Sequence, residues 1–346
     1  MSKAFIARLA RSAIVTVLAA SSSASLLASR AHVQLSGDLS CHDPHIASEQ
    51  SKYYLFCTSG GHQNGFIPIR CSINLRDWSV CGRVFDRPPA WIHHEIPAAK
   101  GAWAPDLARF GSKWHLYYAI STFGKNRSLI GLATNVTLDP TRKDYRWVDE
   151  GKVIESFPKD DWNAIDPNVI VENQNRVWMD FGSFWSGIKM VRLDSVTGKR
   201  SATDTHLYSL ARRSRTAPVF GSIEGPYIFR HAGYYYLFAS FDFCCRGAAS
   251  TYNIRVGRSK QVAGPYADRQ GTPMLEGGGT LLQQGTADWR GPGHNSVLHD
   301  KSGDYIFFHA YAAKTGKPFL QIGRMKWAGG WPEIVSVWRP NISNLR

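Results

Sequence analysis

Five polar residues stand at the heads of five apolar stretches: Asp43, Asp106, Asp166, Glu224 and His294. Their motifs are His-Asp-Pro-His-Ile at 42–46, Trp-Ala-Pro-Asp-Leu at 103–107 and Ala-Ile-Asp-Pro-Asn-Val at 164–169. Ser-Ile-Glu-Gly-Pro-Tyr at 222–227 and Gly-Pro-Gly-His-Asn at 291–295 complete the set. Successive key residues lie 63, 60, 58 and 70 positions apart. A single Asp before proline is ordinarily turn chemistry. Acids and a histidine at repeated positions are different, because carboxylates gathered together raise each other's pKa at a cost in stability. Such a cost without structural return marks a working site. Proline after Asp43 and Asp166 is expected to hold each aspartate extended at a strand entrance. Paired carboxyl groups suit glycosidic cleavage, one protonating the leaving oxygen while the other activates water. Trp103, Phe123, Phe184 and Trp185 lie near the key residues or in loops after second strands. Sugar rings can stack on them there, although packing in a core would use the same residues.

The elements that position these residues repeat with them. About ten residues after each key residue comes a dense aromatic strand, at 53–57, 114–118, 177–181, 234–238 and 305–308. Gly111-Ser112, Asn173-Gln174-Asn175 and Ser302-Gly303 supply hairpin chemistry between first and second strands. Third strands are expected at 66–71, 128–133, 187–193, 252–257 and 319–325. Fourth strands are expected near 80–85, 145–154, 206–210, 272–275 and 334–338. Helical periodicity is almost absent. Four antiparallel strands repeated five times predict an all-β fold, a five-bladed β-propeller around a central channel. The first strand of each blade lines that channel, so the five key residues converge at one mouth.

Residues 1–31 are read as a secretory signal peptide, basic at Lys3, Arg8 and Arg11, apolar over 13–20 and small thereafter, with cleavage after Ala24 or Ala31. The apolar part is about half the roughly 20 residues that span a bilayer, which disfavours a membrane anchor. Six cysteines in an exported chain predict disulfides. Fifteen pairings can be drawn, and adjacent Cys244 and Cys245 admit a vicinal bridge, two thiols or two separate bridges. Sequons stand at Asn126, Asn135 and Asn341. The formal charge of +14 falls to about +10 without the signal. Its basic residues are scattered, which disfavours nucleic acid and fits a solvated surface or attraction to acidic cell-wall polysaccharide. About 315 residues with no linker exceed one ordinary core and suit a repeat.

The ordered motifs resemble glycoside hydrolase family 43, specifically its endo-1,5-α-L-arabinanases, from about Ser36 to Glu333. To the motifs above the resemblance adds Ser-Thr-Phe-Gly at 121–124, Asn-Ala-Ile-Asp-Pro at 163–167 and Phe-Gly-Ser-Phe-Trp at 181–185. Cys-Cys-Arg-Gly at 244–247 and Gly-Arg-Ser at 257–259 belong to it too. A departure is Gly225, where many members carry alanine. The resemblance implies Asp43 as general base, Glu224 as general acid and Asp166 as modulator of Glu224. It implies Asn163 and Ser183 as substrate contacts beside Trp103, Phe123, Phe184 and Trp185. His294 would hold a calcium ion coordinated mostly by water, since calcium prefers several oxygens. Asp106 is read as structural.

The reading is therefore a secreted, monomeric, inverting hydrolase of linear arabinan, a pectin side chain, with one catalytic domain over 36–340 and no nucleic-acid or membrane partner. An exo-acting arabinofuranosidase or β-xylosidase would share the triad but often carries a further C-terminal domain. The chain's end soon after the fifth repeat favours the open groove of an endo-enzyme. A carbohydrate-binding propeller without catalysis would have lost a carboxylate.

Overall fold

Turn residues cut the chain into short antiparallel strands, and in the computed structural model, which describes residues 33–59 and 65–344, these form five four-strand meanders. The signal-peptide stretch lies outside the described residues. Residues from Val33 onward belong to one compact unit. After a short strand β1 (Gln34–Gly37), the first meander runs β2 (His45–Glu49), β3 (Lys52–Phe56), β4 (Phe66–Ser72) and β5 (Asp77–Phe85). A one-and-a-half-turn helix α1 (Ala90–Glu95) precedes the second: β6 (Trp103–Phe110), β7 (Lys113–Ile120), β8 (Ser128–Asn135) and β9 (Val148–Ser156). The third is β10 (Asn168–Asn173), β11 (Arg176–Phe181), β12 (Ile188–Leu193) and β13 (Tyr208–Ala211). The fourth is β14 (Ile223–His231), β15 (Tyr234–Phe241), β16 (Asn253–Ser259) and β17 (Thr280–Gln283). The fifth is β18 (Trp289–Asp300), β19 (Gly303–Ala312), β20 (Pro318–Ala328) and β21 (Trp331–Pro340).

First strands contact one another in the cyclic order β2, β6, β10, β14, β18 and back to β2, which makes the fold propeller-like. A ring of hydrogen bonds laces them together. The His45 imidazole donates to Asp106 at 2.8 Å, and Asp106 accepts from Asn168 Nδ2 at 2.9 Å. Asn168 Oδ1 accepts from the Ile228 amide at 2.8 Å, and the Tyr227 hydroxyl donates to the Val297 carbonyl at 3.1 Å. Ser296 Oγ closes the ring, accepting from the Ile46 amide at 3.3 Å and donating to the Pro44 carbonyl at 2.8 Å. Buried polar groups are thus satisfied by the neighbouring sheet, and Asp106 holds the structural place expected of it.

Among the described residues the apolar core fills the spaces between neighbouring sheets as five slabs, with a small further cluster of Trp289, Ala310 and Ala312 inside the last meander. Phe56 and Phe66 meet Leu116 and Tyr118; Leu132 and Phe110 meet Met179; Met190 and Ile188 meet Leu237. Phe238 meets Phe308, and Phe307 meets Leu55 and Trp78. Each fully buried large side chain contributes about 1.5–3 kcal/mol. Strand β1 runs parallel to both β21 and β5, pairing Leu35 with Pro340 and Gly37 with Trp78, so it joins last meander to first.

Two expectations fail locally. Residues 272–275 are not the fourth strand of their sheet; Met274–Glu276 form a 3₁₀ turn with Met274 buried, and the strand is β17 beyond Gly277-Gly-Gly. Two of the three sequons are closed to glycans as folded. Asn126 is buried and donates to the Phe157 and Asp160 carbonyls, and Asn135 is buried too, whereas Asn341 is exposed. All six cysteines pair, as Cys41–Cys57, Cys71–Cys81 and the vicinal Cys244–Cys245. Among the described residues no helix is long and apolar enough to cross a membrane.

Candidate active site

The heads of the inner strands carry a repeated backbone kink. Asp43, Ala104, Asp166, Gly225 and His294 have φ of 52°, 47°, 58°, 56° and 49°. The expectation that proline holds Asp43 and Asp166 extended is therefore wrong; both lie in the left-handed region. That region costs an ordinary residue on the order of 1–3 kcal/mol and concentrates at functional sites. The kink also corrects the repeat alignment. Ala104, two residues before Asp106, is the backbone counterpart of Asp43, and Glu224 comes one residue before its own kink at Gly225. Glycine leaves room there: a Cβ on Gly225 would come to 3.0 Å from His294 Nδ1, so an alanine would press the imidazole aside slightly.

Asp43 is buried among three histidines. Its Oδ2 accepts from His42 Nδ1 at 2.8 Å and from Thr58 Oγ1 at 2.6 Å. Its Oδ1 faces His294 Nδ1 at 3.2 Å and His309 Nδ1 at 3.6 Å. Burial would raise this carboxyl, but attraction to His42 and His294, the His42 hydrogen bond and His309 outweigh it and hold Asp43 well below the usual carboxylate range. Burial pushes His294 and His309 down, His309 further.

Glu224 and Asp166 go the other way. Glu224 is buried, and its two oxygens accept from Ser183 Oγ at 2.6 Å and from the Tyr252 hydroxyl. Burial raises its pKa; the two hydroxyls lower it and the Asp43 charge adds to the rise. Asp166 is raised well above the ordinary range by burial and then by Glu224 and Asp43, against the single Gly225 amide that it accepts at 3.0 Å. Two buried carboxyls that repel in this way titrate as a pair and retain a proton where a lone carboxyl would have lost it.

The expected sugar contacts divide. Ser183 is buried and holds Glu224 directly. Phe184 and Trp185 are half-buried at φ 51° and 38°, and the Phe184 amide donates to the Ile223 carbonyl at 2.9 Å, tying that loop to the acid's strand. Trp103 opens β6 half-buried, and Phe123 is 74 % exposed in the loop after β7. Asn163 is buried, with its Oδ1 lacking a partner among the described residues. Sequence reasoning passed over Thr58, Tyr252, His309 and Tyr311. A histidine and a tyrosine buried two apart in the aromatic strand β19 were the available signal.

The donors around His294 are nitrogen-rich. The only set of three within metal-binding reach is His42, Asp43 and His309, with ligand atoms within 4.8 Å of one another among the described residues, and it omits His294. Calcium takes six to eight oxygens, so protein atoms alone do not build a calcium shell; an ion at His294 would carry one made largely of water.

The family model Glycosyl hydrolases family 43 matches residues 37–332. An extracellular exo-α-(1→5)-L-arabinofuranosidase of Cellvibrio japonicus is 44 % identical over 304 residues, covering 85 % of this chain and 86 % of the relative. An extracellular endo-α-(1→5)-L-arabinanase of Bacillus subtilis is 40 % identical over 293 residues, covering 84 % and 86 %. The solved structure of a Cellvibrio cellulosa α-L-arabinanase complexed with arabinohexaose aligns with a TM-score of 0.79 at 42 % identity, covering 86 % and 95 %.

Proposed function

This chain belongs to glycosyl hydrolases family 43, and on that premise we propose that it is an inverting arabinanase cutting internal α-1,5 bonds of linear arabinan. The observation that carries the reading is the contrast in surroundings: three imidazoles and a threonine hydroxyl hold Asp43 low, while burial beside a second carboxyl raises Asp166 and Glu224. A base and an acid are thereby poised together at one pH.

Asp43 takes a proton from water as the oxygen attacks the anomeric carbon. Glu224, oriented by Ser183 and Tyr252, gives its proton to the departing arabinosyl oxygen. Asp166 stays out of bond-making and keeps the acid's pKa high. Phe184, Trp185, Trp103 and Phe123 are read as sugar platforms. A water-shelled calcium ion held through His294 would add positive charge at the site. The ring of first strands and the five slabs between sheets support a five-bladed propeller. Secretion is supported by the leader-like first 31 residues and by relatives named as extracellular, and pectin side chains are the corresponding source of arabinan.

One relative is named for exo-action and another for endo-action, so product analysis on debranched arabinan is the test. Mixed oligosaccharides appearing early, with little turnover of aryl-arabinofuranoside or aryl-xyloside, are expected. A single short product from the start would overturn the endo reading; preferred aryl-xyloside turnover would overturn arabinan as substrate.

A further inference from the structure

His42 is engaged at both ring nitrogens. Nδ1 lies 2.8 Å from Asp43 Oδ2, and Nε2 lies 2.6 Å from the Tyr311 hydroxyl. Donor counting settles where the protons sit. Thr58 Oγ1 accepts from the Ala104 amide at 2.8 Å, so its hydrogen goes to Asp43 Oδ2, which therefore acts as an acceptor. The hydrogen between Asp43 and His42 then belongs to Nδ1. Tyr311 accepts from the Cys245 amide at 2.9 Å, which leaves its own hydrogen to give. The candidates are His42 Nε2 at 2.6 Å, Cys245 Sγ at 3.9 Å and the Ser250 hydroxyl, which already accepts from the Arg246 amide; an unprotonated imidazole nitrogen is the strongest acceptor of the three. One order satisfies every member: Cys245 N–H to Tyr311, Tyr311 O–H to His42 Nε2, His42 Nδ1–H to Asp43.

The ring plane is fixed as well. His42 stacks on His309 at 3.8 Å between centroids, and His309 lies 6.1 Å from Tyr252, nearly parallel to it. Tyr252 is the residue whose hydroxyl holds Glu224. His42, Asp43 and His309 resemble a metal triad, but in this order both ring nitrogens of His42 are engaged, Nδ1 by its proton to Asp43 and Nε2 by the Tyr311 hydroxyl.

We propose that Tyr311 and the Cys245 amide are positioning groups for hydrolysis: they set the tautomer of His42, and His42 in that tautomer orients the base Asp43. Neither touches the reacting atoms. The loop bearing Cys245 is closed by its bond to Cys244, so the chain of donors starts from a covalently restrained amide. The inference rests on Asp43 being the base proposed above.

The test compares Tyr311→Phe, His42→Asn, His42→Ala, the double variant Tyr311→Phe/His42→Asn, and Asp43→Asn as reference. Tyr311→Phe is expected to lower kcat on arabinan about tenfold with KM within twofold, since the base is misdirected and the sugar platforms are untouched. His42→Asn, whose amide can still donate to Asp43, should recover at least fivefold of the loss caused by His42→Ala. The double variant should be no worse than His42→Asn, because that substitution already breaks the link to Tyr311. Imidazole ¹⁵N shifts should show Nδ1 protonated and Nε2 bare in the parent, and a mixture in Tyr311→Phe. Full kcat in Tyr311→Phe, multiplicative losses in the double variant, or an Nε2-protonated parent would each overturn the inference. If Tyr311→Phe fails to fold, the His42 pair and the parent spectrum still decide. An active Asp43→Asn would instead overturn the base assignment, a distinguishable failure.

Discussion

Asp43 and Glu224 are both buried carboxyl groups, yet their surroundings separate them by charge. Imidazoles and a threonine hydroxyl face Asp43, while the Ser183 and Tyr252 hydroxyls hold Glu224, whose charge raises buried Asp166. The three acids should therefore fail differently. Glu224→Gln is expected to lower arabinan hydrolysis by about 10²–10⁴-fold and to lose far less on substrates with a very acidic leaving group. Asp43→Asn should damage both substrate types alike, because water needs activation whatever departs. Parallel pH–rate profiles of kcat/KM give the sign for Asp166. Raised carboxyls keep the acid form available above the ordinary range, and activity is lost as pH rises through the pair's pKa. Asp166→Asn removes the repulsion and should move that alkaline limb to lower pH. Equal modest losses for all three variants with unmoved profiles would make the carboxyls structural. For the metal, chelation should lower activity of the parent and add nothing in His294→Ala, whose fold should persist; insensitivity of the parent would remove the ion from the mechanism.

Strand heads and closures carry the next layer. The motif spacing located all five inner strands, but it paired Asp106 with Asp43 where the backbone pairs Ala104, because a kink of positive φ is not written in residue type. The missed β17 has a similar cause. Its residues 280–283 follow a run of three glycines that reads as a turn, whereas Pro273, which cannot donate to a ladder, counts against 272–275, where Met274 is buried within a 3₁₀ turn. Helix α1 spans six residues, too few to show a period. Strand β1 was beyond reading too, since four residues gain their meaning from partners on β5 and β21. Gly37 allows that closure: its φ is 88°, and a Cβ there would meet the Trp78 carbonyl at 1.9 Å. Gly37→Ala should cost about 2 kcal/mol, or about 3 °C in Tm, by calorimetry; an unchanged Tm would mean that β1 does not close the ring. The Cys41–Cys57 bridge clamps the chain two residues before Asp43 and one residue before Thr58. Removing it with paired serines should cost about 2–4 kcal/mol and lower kcat more than it raises KM.

Across the molecule, polar residues lace the inner strands and aromatic slabs fill the spaces between sheets, so no single core has to grow beyond its stable size. Without residues 1–31 the formal charge is about +10, and its basic residues are scattered along the chain. Retention on immobilised polygalacturonate at about 10 mM salt, lost by about 0.5 M, is the expected behaviour of such a surface; retention that survives high salt would indicate a specific anion site instead. Repeat period and aromatic strands were legible in the chain itself, because alternation and turn chemistry are local properties. The tertiary structure alone decided that Asp43 is the anion, that Ser183 and Tyr252 hold the acid, that Tyr311 reaches His42, and that two of the three sequons are buried. Each depends on groups far apart in sequence meeting in a space from which water is excluded. There, burial and neighbouring charge set protonation, and no local pattern encodes who the neighbours are.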